Sequence, residues 1–259
     1  MDFSGRTIVV TGAGQGIGEA CARQLAAAAA RVVLNDISET GAAVARAIHD
    51  AGGDCAFVQG DAGDAAQVAQ LLDEAERIYG LVDGCICAAG LAPQTDFLNV
   101  SEDEFVRTFQ VNLLGPMLLG QGLARRLVAR GKAGSIVNIT STSARLAGPK
   151  QASYCSSKAG LEGLTRAMAV ALAPYNIRVN ALAPGPTVTG MLTPALNTPE
   201  VMAPILARTP LGRFAQPSEQ ANVALFLLSD LASFMTGETV FADGGRAALN
   251  YTMPALSKP

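Results

Sequence analysis

The segment Gly12-Ala13-Gly14-Gln15-Gly16-Ile17-Gly18 follows the short apolar run Thr7 to Val10 and leads directly into a stretch of helical composition, Glu19 to Ala30. Strand, glycine turn and helix in that order leave few folds open. The turn lets backbone approach a pyrophosphate while the helix N-terminus faces its negative charge. The chain continues the alternation, with Arg31 to Asp36, Cys55 to Gln59, Val82 to Ala88, Ser135 to Ile139, Arg178 to Leu182 and Val240 to Ala242 reading as further strands. Gly41 to Asp50, Ala65 to Tyr79, Glu102 to Ala129 and Ser153 to Leu172 read as helices, the third interrupted at Gly115-Pro116, where proline predicts a bend or break. Val68, Leu71, Leu72, Ala75 and Ile78 give Ala65 to Tyr79 one apolar face. Seven short strands with helices between them predict an α/β fold, a doubly wound seven-stranded parallel sheet of Rossmann type covered on both faces.

With 259 residues and 49% hydrophobic content, the chain suits one domain over residues 1–259 better than two. Its least regular stretch, Pro184 to Pro217, holds seven of the 13 prolines, and we expect a loop and short-helix lid at about 186–217. The tail, 247–259, carries Leu249, Tyr251, Met253 and Leu256, which either cover a neighbouring subunit or close the chain's own core. Nineteen basic against 22 acidic side chains, with no basic block, argue against nucleic acid as a partner. Met1 to Arg6 lacks a secretion-signal pattern and no apolar run reaches membrane-spanning length, so a cytoplasmic protein without membrane contact is expected. The five cysteines form no CxxC pair and His49 is the single histidine, so no metal site is expected and the thiols should be reduced and mostly buried.

Asp36 ends the second strand 18 residues beyond Gly18, where a carboxylate accepts hydrogen bonds from an adenosine ribose diol and repels a 2′-phosphate. That predicts NAD over NADP, the alternative being an Asp36 that only caps the following turn. Asp61-Ala62 follows the third strand and suits the adenine edge, although an aspartate so placed is, taken alone, more often a loop or cap residue. Tyr154 and Lys158 stand at i and i+4 on one helix, 13 residues after Ser141. The ammonium should favour ionisation of the phenol and make Tyr154 a general base. Ser141 can hydrogen-bond a substrate oxygen while the carbon-bound hydrogen leaves as hydride to a nicotinamide. Asn112 is either a polar group holding a water in a proton path or a buried amide at a helix kink.

At this point the chain resembles the short-chain dehydrogenase/reductase family over Gly5 to Gly245. The motifs are Thr11-Gly12-Ala13-Gly14-Gln15-Gly16-Ile17-Gly18, Asp61, Ala89-Gly90, Asn112, Ser141, Tyr154 with Lys158, and Pro184-Gly185 followed by Thr189. The resemblance implies an NAD-dependent oxidoreductase that interconverts a secondary alcohol and a ketone. It assigns substrate orientation to Ser141, acid/base transfer to Tyr154, the phenol and nicotinamide ribose to Lys158, and a lysine-linked water to Asn112. It further implies a coenzyme site of Gly12, Gln15, Gly16, Ile17 and Gly18 at the pyrophosphate, Asp36 at the ribose, Asp61, Ala62, Ala89 and Gly90 near adenosine, and Pro184, Gly185, Val188 and Thr189 around the nicotinamide half. Family members are commonly homotetramers. One departure is Cys87, where the family often has an asparagine that steadies the central sheet.

For the substrate, Gln94, Ser143, Arg145, Gln151, Pro186 and Met191 are expected to line a mixed polar and apolar pocket beside Ser141 and Tyr154, suited to a sugar, polyol or cyclic diol. Arg145 either pairs with an acidic group or faces solvent, and Arg246 and the tail could come from an adjacent subunit. Gly244-Gly245-Arg246 with Leu249-Asn250-Tyr251-Thr252 resembles bacterial sugar or polyol dehydrogenases of this family. The alternatives are a 3-oxoacyl thioester reductase, which Asp36 opposes because such enzymes more naturally use NADPH, and a non-catalytic dinucleotide-sensing protein.

Overall fold

The structure, a computed structural model, describes residues 1–190 and 199–253. Seven strands, β1 (Thr7–Thr11), β2 (Arg31–Asp36), β3 (Asp54–Gln59), β4 (Gly84–Cys87), β5 (Gly134–Ile139), β6 (Ile177–Pro184) and β7 (Thr239–Ala242), form one sheet. Its order is β3-β2-β1-β4-β5-β6-β7, and every pair is parallel. The chain runs outward from β1 to β3 and then returns to lay β4 on the other side of β1. That reversal opens a crevice beyond the carboxyl ends of β1 and β4, where ligands bind in sheets of this kind.

The helices are α1 (Gly16–Ala27), α2 (Thr40–Asp50), α3 (Ala65–Tyr79), α4 (Glu102–Phe109), α5 (Gly115–Ala129), α6 (Ala152–Leu172), α7 (Pro199–Leu206) and α8 (Pro217–Leu228). Alternate strand residues feed two cores. Ile8, Val10, Val32, Leu34, Ile86, Val137 and Leu182 pack with α1, α2 and α8. Val9, Val33, Cys85, Cys87, Ile136 and Val179 pack with α3, α5 and the end of α6. A sheet buried on both faces explains why its strands read as unbroken apolar runs.

Two expectations shift. Helix α1 begins at Gly16, inside the glycine turn, rather than at Glu19. The stretch 102–129 does change, but just before Pro116: Gln110–Leu114 is a π-helical turn, and Pro116 falls in the first turn of α5. At the far edge Arg178 of β6 reaches under α8, donating to the carbonyls of Leu227, Leu228 and Ser229 at 2.8, 3.1 and 2.9 Å. A guanidinium thus satisfies the C-terminal carbonyls that a helix leaves without partners. No helix among the described residues is long and apolar enough to cross a membrane.

Candidate active site

The glycine turn is held open toward the crevice. Gln15 stands at the N-terminus of α1 without a side-chain hydrogen bond to it, so the first-turn amides face outward. Gly12 has φ +63, and a Cβ there would lie 2.7 Å from the backbone N and Cα of Ala89. Only glycine lets the loop after β1 approach the loop after β4 this closely. Thr11 Oγ1 joins them too, accepting from the N–H groups of Ala88 and Ala89 at 3.2 and 3.3 Å. From the other side the loop after β6 closes in: Thr189 Cγ2 lies 3.2 Å from the position of a Cβ on Gly16, and Gln15 Oε1 lies 2.7 Å from one on Gly190. Val188 N–H donates to Ala215 at 2.8 Å and Gly185 N–H to Ala242 at 3.1 Å, which fixes that loop against the end of β7.

Asp36 is locked in place. Its carboxylate accepts from Gly14 N–H and from Ser38 N–H, both at 2.9 Å, so it caps the following turn and braces the glycine loop together. Asp61 accepts from Gly63 N–H at 2.8 Å and pairs with Arg107 of α4 at 2.6 Å. Arg107 gave no signal in the sequence, because its partner is 46 residues away. Ala62 and Ala89 line one small cavity with Thr11 and Val111. An uncapped helix N-terminus, a loop that tolerates no Cβ at Gly12, and a half-buried carboxylate at the end of β2 fit a dinucleotide.

The reacting groups meet beyond β5. Ser141 opens a short turn, accepting Ser143 N–H on its Oγ at 3.0 Å, and its hydroxyl lies near enough to the Tyr154 phenol to favour ionisation. Lys158 is 4% exposed, donates to the Ile139 carbonyl at 2.8 Å, and holds its Nζ 5.9 Å from the Tyr154 ring centre. The expectation of a phenol eased toward ionisation by its lysine needs correction for the chain by itself. Burial pushes the Tyr154 phenol up, with the nearby Ser141 hydroxyl acting against it, and burial pulls Lys158 down to about 8. Desolvation therefore favours the neutral form of both.

Asn112 sits on the π turn, fully buried. Its Oδ1 accepts from Leu91 N–H at 2.8 Å, and its Nδ2 donates to the Leu91 carbonyl at 2.9 Å and to Ser157 Oγ at 3.0 Å. The widened turn aims this amide between the loop after β4 and α6, as single π turns at functional sites often do. A Cβ on Gly90 would lie 3.4 Å from both Asn112 Oδ1 and Lys158 Nζ, so these three are neighbours.

The expected substrate residues divide. Ser143 Oγ and Cys155 Sγ converge on Gln151 Oε1 at 3.5 and 4.0 Å, and Gln94 is exposed on the loop after β4. Pro186 lines a depression with Thr209, Leu211, Phe241 and Gly245. Arg145 leaves the group: it pairs with Glu162 at 3.3 Å and stacks over Phe241 at 4.5 Å. Met191 lies outside the described residues. Arg246, read as a possible neighbour's contribution, donates within its own chain to the Ile205 carbonyl at 3.1 Å. All five thiols are free; burial holds Cys21 up at about 12 and Cys55 at about 11. Among the described residues no group of three or more His, Cys, Asp or Glu side chains is placed to hold a metal ion.

A family model described as enoyl-(acyl carrier protein) reductase matches residues 12–247. The chain is 40% identical over 252 residues to cis-4-hydroxycyclohexanecarboxylate dehydrogenase of Sinomonas cyclohexanicum, covering 95% of this chain and 98% of that one. It is 37% identical over 245 residues to L-rhamnose 1-dehydrogenase (NAD(P)(+)) of Azotobacter vinelandii, covering 93% and 96%. A crystal structure of a gluconate 5-dehydrogenase from Burkholderia cenocepacia J2315, in complex with NADP and tartrate, superposes with TM-score 0.91 at 34% identity, covering 96% and 97%.

Proposed function

The chain belongs to the short-chain dehydrogenase/reductase family and is an NAD(P)-dependent oxidoreductase of secondary alcohols, and from that premise we propose an NAD-preferring dehydrogenase of a sugar, polyol or cyclic diol. The observation that carries this reading is the convergence of Ser141 and Tyr154 beside buried Lys158, at the strand ends next to the glycine turn. When bound, a nicotinamide coenzyme supplies the hydride acceptor. Ser141 orients the alcohol oxygen, and Tyr154, once its Oη has given up its own proton, takes the hydroxyl proton as the carbon-bound hydrogen leaves, which makes the ketone. Lys158 serves the phenol and the nicotinamide ribose. Asn112 holds Leu91 and Ser157 in register around them and is the candidate for the proton path. Gly12, Gln15, Gly16, Ile17, Gly18, Asp61, Ala62, Ala89, Gly90, Pro184, Gly185, Val188 and Thr189 form the coenzyme site, while Gln94, Ser143, Gln151 and Pro186 line the alcohol site.

Asp36 supports NAD, since its fixed carboxylate would repel a 2′-phosphate and Arg31 stands at the opposite end of β2. The solved relative holds NADP, so this choice rests on Asp36 alone. The test is formation of reduced nicotinamide with NAD and NADP in parallel, offering L-rhamnose, cis-4-hydroxycyclohexanecarboxylate, gluconate, polyols and cyclic dihydrodiols. Turnover with NAD on one class is expected; turnover only in the reverse direction, with NADPH and acetoacetyl-CoA, would replace this reading by a 3-oxoacyl thioester reductase. A homotetramer is part of the proposal, supported by apolar side chains exposed on and before α4, among them Leu98 and Phe105. So is a cytoplasmic location, supported by five free thiols. We assign residues 186–217 to a lid, and read the tail from 247 as closing the chain's own core. Arg246 and Met253 N–H both bond carbonyls just beyond or within α7, which favours the tail closing on its own chain.

A further inference from the structure

Ser101-Glu102-Asp103-Glu104 has the spacing of a capping box, in which the glutamate side chain turns back to the N–H of the capping serine. Half of the box forms, since Ser101 Oγ accepts from Glu104 N–H at 3.1 Å. The carboxylate goes elsewhere. One oxygen accepts from Ser153 Oγ at 3.0 Å and the other from Thr95 Oγ1 at 2.6 Å. Ser153 is 1% exposed and immediately precedes Tyr154; Thr95 immediately follows Gln94. Thr95 is fixed a second time through its N–H, which donates to the Lys150 carbonyl at 3.0 Å, two residues before α6 begins. At its other end this loop is fixed by Asn112, which binds both the N–H and the carbonyl of Leu91. Residues 92–94 are thus strung between two pins, one at the π turn and one at Glu104.

We propose that Glu104 is a positioning residue: by bonding Thr95 and Ser153 at once, it sets the separation between the loop carrying Gln94 and the helix turn carrying Tyr154, and so the width of the alcohol site. The inference rests on the role given to Tyr154 above. A carboxylate is suited to this work because both of its oxygens accept hydrogen bonds and each hydroxyl has one proton to give. It places a rigid spacer between segments that nothing in the local sequence joins. An alcohol of different girth requires a different spacing, so this carboxylate contributes to substrate selection without touching substrate.

The test compares Glu104→Ala and Glu104→Gln with the parent, together with Thr95→Val in the parent and in Glu104→Ala. Hydrogen exchange read by peptide should quicken at residues 91–99 by about tenfold in Glu104→Ala while β1, β5 and α8 stay at parent rates. Glu104→Gln should restore most of the protection, since an amide can accept from one hydroxyl and donate to the other. With L-rhamnose and cis-4-hydroxycyclohexanecarboxylate as probes, KM for the alcohol should rise about tenfold in Glu104→Ala with kcat and the KM for NAD within about threefold of the parent. Thr95→Val should add nothing further to Glu104→Ala. Parent-like exchange at 91–99, or faster exchange spread over every peptide, overturns the proposal. If neither alcohol is turned over, the functional reading is what fails, and the exchange comparison still decides whether Glu104 pins the loop.

Discussion

Tyr154 and Lys158 were legible in the sequence as a pair, but their electrostatic balance was not, because burial decides it. Replacing Tyr154 with Phe removes the one hydroxyl able to take the substrate proton. Turnover should fall by about a thousandfold while the dissociation constant for NAD, read by fluorescence titration, stays at the parent value. Lys158 gives a pH signature. Its folded pKa is about 8 against an ordinary 10.5, so between those values the unfolded chain keeps a proton that the folded chain has released. Stability should therefore rise with pH across that window, by up to about 3 kcal/mol from this group. Urea midpoints at several pH values across the window, compared with Lys158→Met, check the sign: the variant should lose that slope, and parallel curves would show that the buried ammonium carries no such cost. Arg145 was open in the sequence between an acidic ligand and solvent, and it is exposed, held at the surface. It found Glu162 and the ring of Phe241, partners 17 and 96 positions away that no local pattern could announce.

At the level of elements, the alternation of apolar runs with helical stretches revealed all seven strands, since a parallel sheet covered twice leaves little ambiguity in its composition. The π turn stayed hidden. Gly115-Pro116 announced an interruption, but nothing in Gln110 to Leu114 departs from helical composition, and the wide turn carries Asn112, whose three bonds reach other segments. Cys87 shows the reverse case, where a departure seen in the sequence acquires a physical meaning. In the β4–β5 pair Cys87 stands opposite Asn138, so their side chains share one face of the sheet. Asn138 Nδ2 donates to Thr165 Oγ1 at 2.9 Å, but its Oδ1 is buried with no hydrogen-bond partner among the described residues. An asparagine at position 87 brings an N–H to that orphaned oxygen at little change in volume. Cys87→Asn should raise the free energy of unfolding by about 1 kcal/mol, measured by urea titration. A lower midpoint would show that the two strands lie too close for the amide.

On the scale of the whole molecule, the sequence led to the fold and to the crevice but could not rank the faces that other copies would cover. The exposed apolar side chains fall in separate places. Phe97, Leu98, Phe105 and Val106 lie on and before α4, where Phe105 stacks on Phe109 at 4.7 Å, while Leu231 and Phe234 project beyond α8. Light scattering on the purified protein should give a mass near four times 26.5 kDa. Substituting Leu98 and Phe105 together with serine should lower it, whereas a parent that runs as a monomer would remove the tetramer from the proposal.

The contacts at the rim of the crevice bear on how such a protein changes over generations. Where Gly12 meets Ala89, and where a Cβ on Gly185 would fall 2.5 Å from Cα of Asp243, main chain rests on main chain. Even alanine is shut out of both places, so drift there is arrested. Gln94 is exposed and Ser143 and Gln151 are half-buried, so their side chains face no such barrier. If those positions line the alcohol site as proposed, lineages descended from this scaffold can trade one alcohol for another there while the glycine contacts stay untouched.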